Sequence, residues 1–185
     1  VCKVIKRKPY RQSIKKWLEL FAGADNITSG PDAMKNSKYY LSRLISRRYR
    51  KVCKIARNID ETTADEVVHE LRIHCKKLRY LMEFALPLFS KKKIKALIKS
   101  LKVLQDNLGK FNDYSVQQIS LGMFMSEHAL SGMKGIKVAE STGALTAMLY
   151  QLQCRERNLV MENFSRFDSE KTRASFTELF QVEGC

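Results

Sequence analysis

The sequence predicts an all-α protein: an antiparallel four-helix-bundle-like domain with long helices and an extra N-terminal helix. Three observations carry this. Only three prolines and eight glycines punctuate 185 residues. Apolar residues recur at spacings of three and four, and the alternation of a half-buried strand is nowhere sustained. Apolar residues make up 44% of the chain, enough for a sizeable core in one domain.

A first helix is expected over Tyr10–Phe21, and the turn formers of Gly23–Pro31 read as a loop. A second helix spans Ser37–Arg57. Thr63 followed by Glu66 fits a capping box opening a third helix, which Pro87 ends or bends after Leu86. A fourth covers Lys91–Met125, with Gly109 a weak point. Ser131–Gly135 reads as a loop, a fifth helix covers Val138–Phe167, and a short sixth covers Thr172–Phe180. Short connections between long helices argue for antiparallel neighbours.

Charge is the second signal. The chain carries 34 Lys/Arg against 19 acids, a net +15. Residues 1–110 account for a balance of +17 and residues 111–185 for −2. A positive zone beside a neutral third attracts polyanions: nucleic acid, anionic lipid or polyphosphate.

Five cysteines form no CxxC pair and no metal spacing, so neither a disulfide framework nor a metal or cofactor site is expected, and a reducing cytoplasm is the expected home. No run approaches the ~20 apolar residues that cross a bilayer. The basic N-terminus lacks the apolar stretch of a signal peptide. The chain opens at Val1, without an initiator methionine, which points to a trimmed chain.

Helical spacing separates the faces of Val68–Phe89. Leu71, Cys75, Leu78, Met82, Ala85 and Phe89 form a core stripe. His69, Arg72, Lys76 and Arg79 form a basic row, and Ile73, Tyr80 and Phe84 form a narrower apolar strip beyond it. The row is therefore expected in a seam between two packed surfaces. His69, at its head, makes either a structural hydrogen bond or a donor to phosphate, stronger when protonated. His74 and His128 have no partner set suggesting a metal or catalysis.

From Ala33 to Ile59 there are nine Lys/Arg and no acid. Leu41, Leu44, Ile45, Val52, Ile55 and Ile59 make the core stripe there, and Arg43, Arg47, Arg50 and Lys54 line another face with Lys51 beside it. Arg48 falls near the core stripe and must reach out or find a partner. Like charges at these spacings repel unless an anion relieves them. In the fourth helix Leu97, Leu101, Leu104 and Leu108 should pack inward, while Lys95, Lys99 and Lys102 form a third basic row. Cations at i, i+3 and i+4 repeat every ~5–6 Å, which suits an extended polyanion.

Two strings carry a family resemblance. VHELRIHCKKLRYLMEF (Val68–Phe84) resembles the signature helix of CHAD domains, and LKVLQDNLGKFNDYSVQQ (Leu101–Gln118) resembles their second motif, in matching order and separation. The basic LISRRYRKV (Leu44–Val52) is similar to the helix before the signature. The resemblance implies an all-helical fold that binds inorganic polyphosphate in a basic cavity without catalysis. By motif position it puts His69, Arg72, Lys76 and Arg79 in the phosphate-facing row, with Lys77 at a further basic position. Arg47, Arg48 and Lys51 follow from the preceding helix and Lys99 and Lys102 from the second motif, where Asp113 matches an orienting or capping acid. Arg43 and Lys54 extend the set.

Domains of this family usually contain two similar halves with the ligand between them. This chain has one His-containing helix, so residues 1–30 are read as the remnant of a first half and 31–185 as a C-terminal CHAD-like bundle. A missing N-terminal half or a second copy of the chain would complete the cavity. The expected function is non-catalytic polyphosphate binding in the cytoplasm, at polyphosphate granules.

Three other classes compete. A nucleic-acid module would share the charge, but no helix-turn-helix, zinc finger or aromatic stacking set is visible. A basic scaffold could dock on an acidic partner or anionic membrane. An enzyme is not expected: Glu70, Glu83, Asp106 and Asp113 form no metal-binding pair, and no activated nucleophile or phosphate loop is present.

Overall fold

Helices pack only on helices in the computed structural model, which describes residues 8–22, 30–128 and 132–180 and holds no strand among them. The helices are α1 (Lys8–Ala22), α2 (Ser37–Ala56), α3 (Asp65–Ala85), α4 (Lys91–Glu127), α5 (Gly132–Phe167) and α6 (Glu170–Phe180). Residues 1–36 form one unit, in which α1 is the described helix, and residues 37–185 form a second.

In the second unit α3 packs between α2 and α4, α5 runs against α4, and α6 closes on α2. The stripes read from the sequence face one core. Ile45, Val52, Leu71, Leu78, Leu101 and Leu104 are fully buried, joined by Phe167 and Phe180 from α5 and α6. Each such side chain contributes about 1.5–3 kcal/mol through burial. Leu44 and Phe89 are half-buried against the same cluster. Cys53 and Cys75 are buried thiols in it. Burial pushes the Cys53 thiol up to about 11, and it raises Cys75 as well.

The expected capping box does not form. Ala64 is the N-cap of α3 and makes no side-chain cap bond. Thr63 instead closes a turn with Asp60: its Oγ1 accepts from the Asp60 amide at 2.8 Å and donates to Asp60 Oδ1 at 3.0 Å. Asp65 and Glu66 supply negative charge to the first turn, where the helix dipole favours it. Arg157 of α5 fastens this end by donating to the Thr63 carbonyl and to Asp65.

Pro87 ends α3 as expected, within a single 3-10 turn at Leu86–Leu88. Gly109 does not interrupt α4, which runs 37 residues. The loop expected over Ser131–Gly135 is also corrected. Ser131 lies outside the described residues, and α5 is already helical from Gly132, whose φ of 69° suits glycine. Gly135 is a buried position inside this helix and not a loop residue.

At about 1.5 Å per residue, α4 and α5 are each roughly 55 Å long, against about 30 Å for α2 and α3. The end of α4 and the start of α5 therefore run past the bundle as a hairpin. Polar groups set its register: Asn107 Nδ2 donates at 2.8 Å to the Glu156 carbonyl, and Gln118 Nε2 donates at 2.7 Å to Oε1 of the buried Gln153. No helix of the described residues is long and apolar enough to cross a membrane.

Candidate polyanion-binding surface

Buried and paired positions on α3 fix where its cations point. The core stripe takes one side. Glu70 and His74 turn toward α2, where Lys51 Nζ stands 3.1 Å from Glu70 and Arg48 Nη1 stands 2.5 Å from His74 Nδ1. His69 turns the other way, its Nδ1 lying 2.8 Å from Asn112 Oδ1 on α4. Since Arg72, Lys76 and Arg79 share the His69 face, the basic row follows the solvent side of the α3–α4 pair.

The His69–Asn112 contact also sets the register. Extending it one turn at a time along two antiparallel helices puts Arg72 level with Gly109, Lys76 with Gln105, and Arg79 with Lys102. Lys102 thus joins the row from across the groove, and Lys99 lies exposed one turn away, farther round the helix.

Not all of the row is equally available. Arg79 Nη1 donates to Glu83 Oε1 at 2.9 Å, and its guanidinium lies 4.8 Å from the Tyr80 ring centroid. Arg72 and Lys76 are half-buried, and neither has a carboxylate in ion-pair range among the described residues. Their aliphatic stems are covered while their charges are left for an anion.

One expectation about this face is overturned. The apolar strip flanking the row was expected to pack, but Tyr80 is 50% and Phe84 74% exposed. No element of the second unit covers that flank, so the row sits on an open face and not in a closed seam.

The α2 cations divide. Arg43, Arg47 and Lys54 are exposed on the side away from the core, with Arg43 also 5.9 Å from the Tyr39 ring centroid. Arg48 and Lys51 are held in the α2–α3 seam by His74 and Glu70. That accounts for Arg48, the residue that needed a partner. Burial and the nearby Arg48 charge hold His74 below its ordinary value, and the Lys51 ammonium does the same to Glu70. The structure therefore gathers His69, Arg72, Lys76, Arg79 and Lys102 along one groove. It sets the α2 residues on the other side of α3.

A second charged cluster gave no sign in the sequence. Asp168, at the end of α5, is 7% exposed and accepts from Tyr49, from Arg57 Nη2 at 3.0 Å and from Cys53 at 3.7 Å. Arg173 Nη1 donates at 2.8 Å to the Asp168 carbonyl. Burial pushes the carboxyl up, but the Tyr49 hydroxyl and the Arg57 guanidinium outweigh it and hold Asp168 below the usual carboxylate range. These partners lie more than 110 residues apart in sequence, so no local pattern announces them.

No group of His, Cys, Asp and Glu suited to a metal ion occurs among the described residues. Fold and charge together define a class: a basic all-helical domain with cationic rows on adjacent helices. A model of the CHAD domain matches residues 1–122, and the chain belongs to that family, one of polyphosphate-binding and non-catalytic type. The match ends inside α4, leaving residues 123–185 beyond it. No curated protein matches the chain.

Proposed function

We propose that this chain binds inorganic polyphosphate and performs no chemistry on it. The observation that carries the reading is the pair Arg72 and Lys76, two cations with no carboxylate partner among the described residues, on the signature helix of a CHAD domain. His69, Arg79, Lys99 and Lys102 extend their surface along the α3–α4 groove. Arg43, Arg47 and Lys54 offer a second track on α2, and Arg48 and Lys51 edge the seam between. A flexible chain charged at every unit can follow cations spaced by one helical turn. Arginine would fork onto paired oxygens and lysine would act as a point charge.

An open groove neutralises one side of such a ligand. That supports reading the chain as the C-terminal half of a domain, with residues 1–30 a remnant of the first half and 31–185 the bundle. A missing half or a second copy would close over the ligand. The reading places the protein in the cytoplasm, at polyphosphate granules.

The test is a salt series with polyphosphates of several lengths, with duplex DNA and RNA as competitors. Affinity should fall linearly in log–log form as counterions are recovered. Displacement of long-chain polyphosphate by either nucleic acid at equal phosphate concentration would overturn the assignment. Binding to phosphatidylserine vesicles with none to polyphosphate would favour a membrane-docking role instead.

A further inference from the structure

On the far side of the bundle from the α3–α4 groove, α2 and α6 border a cavity of about 360 Å³. Arg50, Lys54, Arg57 and Arg173 line it, with Tyr49 and Asn58 between them. Four cations share this wall, and among the described residues the one carboxylate in ion-pair range of any of them is Asp168. Asp168 offsets a single charge, so the cavity keeps a surplus of about three. Arg50 and Lys54 have no carboxylate in ion-pair range among the described residues.

The arrangement does more than collect charge. Buried Asp168 tethers Arg57 through Nη2 and Arg173 through Nη1. The other terminal nitrogen of each guanidinium makes no hydrogen bond to a described residue. Tethering removes side-chain freedom before any ligand arrives, so less entropy remains to be lost on binding. Asp168 and Arg173 lie beyond the part of the chain that matches the CHAD domain, whereas Arg50, Lys54 and Arg57 lie within it, so the pocket joins the matched region to the chain that follows it.

We propose that this pocket, which shares Lys54 with the α2 track, is a site distinct from the α3–α4 groove for a compact phosphate anion, a terminal phosphate with two ionised oxygens as in pyrophosphate. It is a local depression of about 360 Å³, room for one or two phosphate units, and not a track running the length of a helix pair. Two tethered forks and the exposed cations Arg50 and Lys54 can converge on such a group. The ligand is either a free diphosphate or the end of a longer chain.

Pyrophosphate titrated calorimetrically into the protein is the probe. Arg50→Gln combined with Arg173→Gln should weaken its binding at least about tenfold, the effect of losing charge-assisted hydrogen bonds. Arg72→Ala combined with Lys76→Ala should change it less than about twofold. Because Arg173 also touches Asp168, Arg50→Gln alone serves as a variant that leaves every Asp168 partner in place, and it too should bind more weakly. Unchanged affinity in Arg50→Gln and in the double variant, or the opposite ranking of the two pairs, overturns the proposal. So does displacement of pyrophosphate by long-chain polyphosphate whose ends are capped. Displacement by uncapped chains would assign the site to chain ends, and failure of uncapped chains to displace it would assign it to the free anion. Failure of pyrophosphate to bind while long chains still bind removes this pocket and spares the proposed function, and the reverse result does the opposite.

Discussion

His69 on α3 and Asn112 on α4 meet through Nδ1 and Oδ1 at 2.8 Å. This contact joins the two sequence motifs by which the chain resembles its family. It also orients the signature helix so that Arg72 and Lys76 follow the solvent side of the pair and not the α2 seam. A double-mutant cycle with His69→Ala and Asn112→Ala should give a coupling of about 0.5–1.5 kcal/mol in urea unfolding. Additive effects would show that the register is set elsewhere.

Arg72→Ala with Lys76→Ala should weaken long-chain polyphosphate about 10–100-fold at low salt, with unchanged helical circular dichroism. If the ligand behaves as a single-stranded polyanion, the log–log salt slope becomes shallower by roughly 1.4. Wild-type affinity in the double variant would remove the α3 row from the site.

Asp168 links the ends of α5 and α2. Its carboxyl is held below the ordinary range, so its contribution to stability is complete above a pH of about 4. That contribution drains away as pH falls through the lowered native value. Asp168→Asn should flatten the acid limb of a stability profile. Asp168→Ala, which leaves the Tyr49 hydroxyl and Arg57 without their acceptor, should cost about 3 kcal/mol by denaturant titration.

His74 gives a milder slope nearer neutrality. Its native value is depressed, so the unfolded chain takes up a proton first as pH falls below about 6.5. Stability should be full above that point and decline toward the native value, then level off. His74→Gln should remove this step, and a nuclear magnetic resonance titration should place the ring below 6.5. A ring titrating above 6.5 would reverse the predicted sign.

Much of the fold could be read in advance because its determinants are local. Leu71, Cys75, Leu78 and Met82 recur at helical spacing, and all four are buried. Thr63 was misread since a capping box and an Asp60-centred turn draw on the same hydroxyl, and only the backbone path decides between them. Gly135 was misread because a glycine inside a helix carries the same local signal as one in a loop. Tyr80 and Phe84 carry the periodicity of a packed strip, yet both stay exposed, with Arg79 lying over the Tyr80 ring. The Asp168 cluster was invisible because contact across more than 110 residues leaves no spacing to detect. On α3 the cationic row itself was plain, whereas its turn toward α4 depended on Asn112.

The two sealed thiols turn the molecule into its own clock. Cys75 is closed off by the whole core, whereas Cys53 sits at the corner where α6 meets α2 beside Asp168. An alkylating reagent can reach Cys75 only when the core opens, whereas Cys53 lines the pocket between α2 and α6 and needs only a local opening there. The ratio of their labelling rates thus reports how often that corner breathes without the rest of the bundle coming apart.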